Sequence, residues 1–212
     1  MKKIIIEETV SASKLIRFKK WLNGVEETES DNKEIRIGNL IDALITKPND
    51  INMFTRKYLG QPFSNDEYDL ICAMHKSYLK FIKGMRIDMI LEGAENQKQF
   101  IEKKVFKEQN LEIHVPLKCI YDKFSFEACM GFDIKTTTAT THKAFVNGLK
   151  FMDQDQSRYL YTQTSGLKSD IIIGISKIKP HKVFWVDTFH EKFMESGRNK
   201  LLVNLLDFYL YA

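Results

Sequence analysis

Apolar residues recur along this chain with two different periods, and the change from one to the other sets the expected order of elements. Over residues 9–22, Leu15, Phe18 and Leu22 return at helical spacing, with Ser11 or Ser13 placed to cap the first turn. A polar, acidic stretch over 24–33 lacks large apolar groups and reads as a loop. Residues 34–46 predict a second helix, closed by Lys47-Pro48-Asn49-Asp50. Ser64-Asn65-Asp66-Glu67 reads as a capping box opening a long helix. Tyr68, Ile71, Met74, Tyr78, Phe81 and Met85 form its apolar stripe, and His75 beside them reads as a structural histidine. The segment 95–107 fits two periods: Phe100, Ile101, Val105 and Phe106 suit one face of a helix or the apolar positions of a first sheet strand.

Beyond residue 110 the period shortens. Residues 115–124 and 130–137 read as strands, and the residues between them suffice for the chain to return as an antiparallel neighbour. A hydroxyl-rich turn over 136–141 can cap a helix starting near His142, which continues through Phe145, Leu149 and Phe151 towards 155–161. Residues 170–175 and 182–186 are almost continuously apolar, so they are expected at the centre of the sheet, joined through Lys179-Pro180-His181. A last helix over 191–209 presents Leu202, Leu205 and Leu206 to it. No repeat, low-complexity tract or linker interrupts the order. The expectation is a single α/β domain over 1–212, a small mixed sheet of roughly five strands with helices on both sides.

Composition narrows the class without naming a function. A chain of 212 residues, 43% hydrophobic and 12% aromatic, suits one globular domain. A net charge of +4 permits a nucleic-acid groove but does not establish one. Cys72, Cys119 and Cys129 form an odd set without metal-finger spacing, which points to a reducing compartment and no disulfide framework. Glu7 and Glu8 end the apolar start after Ile6, so neither a secretory nor a membrane-spanning segment is expected, and the location expected is cytoplasmic.

The candidate chemistry lies in Met130-Gly131-Phe132-Asp133-Ile134-Lys135-Thr136-Thr137. Residues two apart on a strand share a face, so Asp133 and Lys135 project together. A carboxylate there can hold a divalent metal, and an ammonium beside it can orient or deprotonate an attacking water. Asp31-Asn32-Lys33 and Glu102-Lys103-Lys104 repeat the acid-to-lysine spacing in polar or lysine-rich surroundings that read as solvated surface. Asp122, near the end of the preceding strand, adds a second carboxylate. Two acids on adjacent strands with a lysine beside the second suit phosphodiester hydrolysis; the same residues also suit an ordinary hairpin bearing surface charges.

Lys118-Cys119-Ile120-Tyr121-Asp122 followed by Asp133-Ile134-Lys135-Thr136-Thr137 resembles the PD-(D/E)XK nuclease superfamily. The branch it resembles is the phage-type exonuclease VIII group, related to the RecB nuclease domain, which writes these motifs K-G-x-x-D and D-x-K-T-T. The resemblance implies a PD-(D/E)XK-like core binding Mg²⁺ or Mn²⁺ through Asp122, Asp133 and the Ile134 carbonyl, with Lys135 acting on the water. In a G-x-x-x-H-x-L pattern of that branch, Gly38 and Leu44 match and Asp42 stands at the metal-binding histidine, as a further ligand or a surface acid. A D-x-Q-x-x-x-Y motif finds two registers, Asp155 with Tyr161 or Asp153 with Tyr159, and Gln156 or Gln154 can stand for its glutamine. Arg158 is expected at a phosphate or on the surface, and Thr136, near a helix N-terminus, at a phosphate. Lys98, Lys103, Lys104 and Lys107 are either a solvated face or a wall of a DNA groove, with Glu102 able to approach the metal if 95–107 is a strand. The implied protein is phage- or bacterium-encoded and degrades double-stranded DNA from its ends. A homo-oligomer and a single-strand annealing protein as partner are also implied. The alternatives are an endonuclease on the same scaffold and a catalytically decayed nucleic-acid-binding or assembly protein.

Overall fold

The computed structural model describes residues 2–25, 33–108, 110–167, 169–190 and 192–212. Strands β1 (Lys2–Ile5) and β2 (Val10–Ser11) lead into helix α1 (Ala12–Leu22), which Ser11 caps by accepting the Lys14 N–H. Helix α2 (Lys33–Thr46) is followed by three short strands, β3 (Ile51–Asn52), β4 (Lys57–Tyr58) and β5 (Gln61–Pro62), which make a small antiparallel sheet of their own. Helix α3 (Asn65–Gly84) opens on the expected capping box, with Ser64 and Glu67 each satisfying the other's backbone N–H. After α4 (Asp88–Glu92) come the long strands β6 (Glu95–Glu108) and β7 (Leu111–Ser125), then β8 (Met130–Thr137). The chain ends with α5 (His142–Phe151), α6 (Gln154–Ser165), β9 (Ser169–Ser176), β10 (Val183–Asp187) and α7 (Phe193–Tyr211).

β7 is the hinge of the main sheet. Along one edge β6 pairs with it antiparallel over nearly its whole length. Along the other it takes three partners in turn: β1 in parallel at Leu111–His114, β2 in parallel at Leu117–Lys118, and β8 antiparallel at Lys123–Ser125. β8 then runs parallel to β9, and β10 closes the sheet antiparallel to β9. The result is the expected α/β architecture, with a mixed sheet flanked by helices and seven strands in place of about five. On one face α2 and α3 bury Leu40, Ile41, Ile71 and Met74 against Phe132, Ile134, Ile171 and Ile173. On the other, α1, α6 and α7 bury Leu15, Leu160, Leu201 and Leu205 against Val115, Leu117, Cys119 and Tyr121. β9 is apolar at consecutive positions because both of its faces are covered: Ile171 and Ile173 meet α2 and α3, and Ile172 meets Phe145 and Leu149 of α5.

Several expectations are corrected. The segment 95–107 is a strand, paired throughout with β7. The helix expected to run unbroken from His142 to 161 stops at Met152, and Asp153 takes a left-handed φ of 53° before α6 begins. β10 is the end strand of its sheet; its apolar run reports helices on both faces and says nothing about its open edge. The α3 stripe turns with the helix, so Ile82 is buried where Met85, at the C-cap, is 48% exposed. Most of the loop expected over 24–33, including Asp31 and Asn32, and Glu191 at the expected start of the last helix lie outside the described residues. No helix among the described residues is long and apolar enough to cross a membrane.

Candidate active site

β7 and β8 pair at three positions only, Lys123 with Phe132, Phe124 with Gly131 and Ser125 with Met130, and then part. β8 follows β9 while β7 turns to β2 and β1. A strand that leaves its neighbour strands its backbone donors, which must find another partner. Asp122 supplies one: its Oδ2 accepts the Ile134 N–H at 2.7 Å, so the carboxylate fills the notch of the fork. The fork opens into a cleft of about 460 Å³ lined by Gly38 and Asp42 of α2, Asp122 of β7, and Ile134, Lys135 and Thr136 of β8. Gly38 lets the helix come this close, since a Cβ there would stand 3.3 Å from Thr136 Oγ1. Lys177, just beyond β9, adds a cation to the lining that sequence reasoning did not single out.

Asp133 faces the other way, into a buried chain of alternating charges. Its Oδ2 meets Lys135 Nζ at 2.5 Å and its Oδ1 meets Arg158 Nη1 at 3.1 Å. Arg158 Nε reaches Asp170 Oδ2 at 3.2 Å, and Thr188 Oγ1 donates to the same oxygen at 2.7 Å. The guanidinium lies over the Tyr161 ring, 3.9 Å from its centroid, and is 1% exposed. Burial by itself would raise the Asp133 carboxyl, but Lys135 and Arg158 together hold it below its ordinary range. Asp170, with a share of one cation, is not so compensated, and burial keeps its carboxyl raised. For Lys135, burial favours loss of the proton; Asp133 and Asp122 outweigh it and hold the ammonium.

Asp122 carries the charge that this chain leaves over. Burial, then the neighbouring Asp133, pushes its carboxyl up to about 7; Asp42 adds to the rise, and Lys135 and the Ile134 N–H offset only part of it. Its second oxygen stands 3.4 Å from Gln97 Nε2, which is also 3.4 Å from Thr46 Oγ1. The Thr46 hydroxyl is 2.9 Å from the Asp42 carbonyl and 3.1 Å from Asp42 Oδ1, free to donate to either. An amide and a hydroxyl thus bridge the two cleft carboxylates. Gln97 was missed by sequence reasoning; it sits at a left-handed φ of 51°, where β6 skips one pairing opposite Asp122, and no periodic signal marks such a position.

The structure brings Asp122, Asp42, Lys135, Ile134 and Thr136 to one cleft, with Asp133 behind Lys135. It places the expected nucleic-acid contacts of α6 elsewhere. Arg158 is buried in ion pairs, so the guanidinium expected at a phosphate serves Asp133 and Asp170 instead. Gln156 is buried and accepts from Asn204 of α7 at 2.5 Å, and Tyr161 forms the ring floor under Arg158. Glu102 pairs in register with Leu117, far along β6 from the Asp122 end. The N-terminus of α5, capped by Thr141, is not among the cleft residues. Among the described residues no three His, Cys, Asp or Glu side chains gather as a metal cage: Asp42 and Asp122 share the cleft, and Asp133 is turned into its ion pairs.

No family model matches the sequence, and no curated protein matches it. Among solved structures, the chain is similar to the crystal structure of a putative exonuclease from Eubacterium rectale, at 13% identity and a TM-score of 0.53 over 89% of this chain and 70% of that one. At this identity the likeness is one of fold. The protein SSO0001 aligns at 11% identity and a TM-score of 0.34 over 89% of this chain and 85% of that one. Rai1 of Scheffersomyces stipitis, solved with (3'-NADP)+ and a calcium ion, aligns at 12% identity and a TM-score of 0.30 over 98% of this chain and 70% of that one. Scores this low carry no argument.

Two stability measurements test this geometry. Arg158→Met removes the one cation shared by two buried carboxylates, and breaking a buried pair in this way costs about 3–5 kcal/mol. Urea unfolding at pH 7 is expected to show that loss, with part of it restored when Asp170→Asn is added; a neutral Arg158→Met contradicts the ion chain. The second concerns Asp122, whose folded carboxyl titrates near 7 and whose unfolded one titrates near about 3.9. Its charging therefore destabilises the metal-free protein progressively as pH rises from the unfolded value through the folded one. In chelator, Asp122→Asn is expected to be more stable than the parent at pH 8, with the gain shrinking towards pH 4. A gain that is absent at pH 8, or equal at both pH values, contradicts the surplus charge.

Proposed function

We propose that this chain is a divalent-metal-dependent nuclease of PD-(D/E)XK type, hydrolysing DNA phosphodiester bonds from duplex ends. The observation that carries the reading is the fork itself: two carboxylates, Asp122 and Asp42, face one cleft, with the Lys135 ammonium held beside them by Asp133. The donor set fits a hard cation. Among the described residues carboxylate and hydroxyl oxygens line the cleft, while cysteine and histidine do not, and Asp133 and Asp42 add to the rise that burial gives the Asp122 carboxyl, a rise that a bound cation would relieve. Asp122 and Asp42 are the residues that would hold Mg²⁺ or Mn²⁺, with the Ile134 carbonyl as a further oxygen. When bound, such a cation supplies Lewis acidity towards a phosphate and its water.

The remaining work falls to the chain's own groups. Asp133 orients Lys135 and keeps it protonated, so Lys135 acts as a fixed charge and N–H donor towards the negative charge developing on the phosphoryl oxygens, not as the group that takes the proton from water. Lys177 and Thr136 lie where they can hold a phosphate of the same strand. Arg158 does not touch substrate in this reading; it anchors Asp133 from behind. Action at duplex ends, assembly of several copies around the duplex and cooperation with a single-strand annealing protein extend the reading by resemblance to the exonuclease VIII group.

The test is cleavage of end-labelled linear duplex and closed circular DNA, each with Mg²⁺ and with chelator. The expected outcome is loss of linear DNA only, dependent on the metal. Lys135→Ala is expected to lower the rate by at least about a hundredfold, the scale of one lost transition-state donor, with folding unchanged by circular dichroism. Cleavage of both substrates replaces the exonuclease reading with an endonuclease on the same scaffold. Cleavage of neither, by a folded protein across a metal titration, refutes the nuclease reading.

A further inference from the structure

Strand β6, 14 residues long, ends the main sheet on one side: among the described residues β7 is its one strand partner. Its outer edge therefore presents a row of backbone N–H and C=O groups that no neighbouring strand takes up. From Lys98 to Glu108 it pairs with β7 residue by residue, without a skipped position, so the edge is regular along this stretch. Phe100 and Phe106 turn to the face covered by α6 and α7. Ile101, Lys103 and Val105 project from the other face, where Ile101 is 52% exposed and Val105 47%. Core packing accounts for the two phenylalanines, but not for two β-branched residues left in water beside an open edge.

The order of side chains along this edge is its own complement. Two copies paired antiparallel about a two-fold axis at Lys103 would set Glu102 opposite Lys104, Ile101 opposite Val105 and Phe100 opposite Phe106, each contact occurring twice. Directly opposed residues share a face of the joined sheet, so the alternate registers move the axis by whole residues. An axis at Glu102 sets Ile101 against Lys103 and Phe100 against Lys104; one at Lys104 sets Glu102 against Phe106 and Ile101 against Lys107. Of the three, only the register centred on Lys103 matches charge with opposite charge and apolar with apolar. Glu102 and Lys104 have no ion-pair partner among the described residues, so both are free to form it. Lys98 and Glu108 would also meet, but Glu95 and Arg198 already pair with them, which leaves 100–106 as the core of the contact. Lysine on an edge strand commonly keeps other strands away. Here the self-opposed Lys103 is the one repulsive contact of that core, and its aliphatic stem can lie along Ile101 and Val105 with the ammonium in water.

We propose that the outer edge of β6 takes a second copy of this chain, joining two sheets through an antiparallel β6–β6 contact about a two-fold axis at Lys103. Such a contact closes with two copies. It therefore differs from a ring around a duplex, whose further copies would need another surface. The contact uses no residue that lines the catalytic cleft, and it stands or falls independently of the nuclease reading. A strand pair of this length buries less than a standard interface, so the association expected is weak, in the micromolar range.

Sedimentation equilibrium of the full chain under reducing conditions, from roughly 1 to 500 µM, is expected to show a reversible monomer–dimer equilibrium. Glu102→Lys sets lysine against lysine twice across the axis, and Lys104→Glu sets glutamate against glutamate. Each variant alone is expected to dimerise at least about tenfold more weakly than the parent. Mixed in equal amounts, the two variants regain opposite charges between unlike chains, and a heterodimer of about parental affinity is expected. Both substitutions combined in one chain are expected to restore self-association as well. Neither side chain belongs to the core, so circular dichroism is expected to match the parent throughout. The proposal is overturned by a parent that stays monomeric across the range, or by a dimer that both single variants retain at parental strength. It is also overturned if the single variants weaken the dimer but fail to rescue one another when mixed. A monomeric parent whose affinity for duplex DNA falls in Lys104→Glu would assign the edge to nucleic acid and overturn it too.

Discussion

The candidate site depends on one backbone constraint, the parting of β7 and β8 after three residue pairs. Where strands separate, amides lose the partners a ladder would give them, and a buried unpaired N–H costs on the order of a lost hydrogen bond. Asp122 meets that demand at Ile134 and in doing so is held with one oxygen towards the backbone and the other 3.4 Å from Gln97 Nε2. The carboxylate is thus placed by the sheet's own requirement. Gly38 has the complementary role on α2, letting the helix close over Thr136 and bring Asp42 to the same cleft.

Electrostatics then separate two kinds of acid at the site. Asp133 and Asp170 alternate with Lys135 and Arg158 in a buried chain, Asp133 held between two cations and Asp170 against a share of one. Asp122 and Asp42 lie outside that chain, bridged by Gln97 and Thr46; Lys47 stands 3.7 Å from Asp42, and Lys135 and the Ile134 N–H offset part of the rise at Asp122. The ion chain gives rigidity to Lys135, and a surplus of carboxylate gives a reason to take up a cation. The two together are what a metal-assisted phosphodiester hydrolase requires, and neither would suffice alone.

The parts of this arrangement that follow from local periodicity were legible in the sequence. The strand 130–137, its antiparallel return from β7 and the shared face of Asp133 and Lys135 all follow from a period of two. The capping box at Ser64 and the cap at Ser11 follow from residue type and position. What escaped depends on long-range placement. Arg158 sits on a polar-looking helix turn, and only the packing of α6 over Asp133 and Asp170 makes it an internal counter-ion. At the break, Asp153 pairs with Lys19 and Lys200 from two other helices, contacts that no local pattern announces. Gln97 stands at the cleft at one left-handed position within β6, which leaves no trace in composition or period. Asp133 and Asp122 looked equivalent as adjacent acids; the cations behind one of them decide that they are not.

The central claim is that the fork between β7 and β8 is a divalent-cation site. Anomalous diffraction from crystals soaked in Mn²⁺ tests it most directly, because the signal locates the ion without reference to activity. The account predicts an anomalous peak inside the cleft in contact with Asp122 and Asp42, lost from crystals of Asp122→Asn treated in the same way. A cleft without a peak at saturating Mn²⁺, or a peak that persists unchanged in Asp122→Asn, contradicts it.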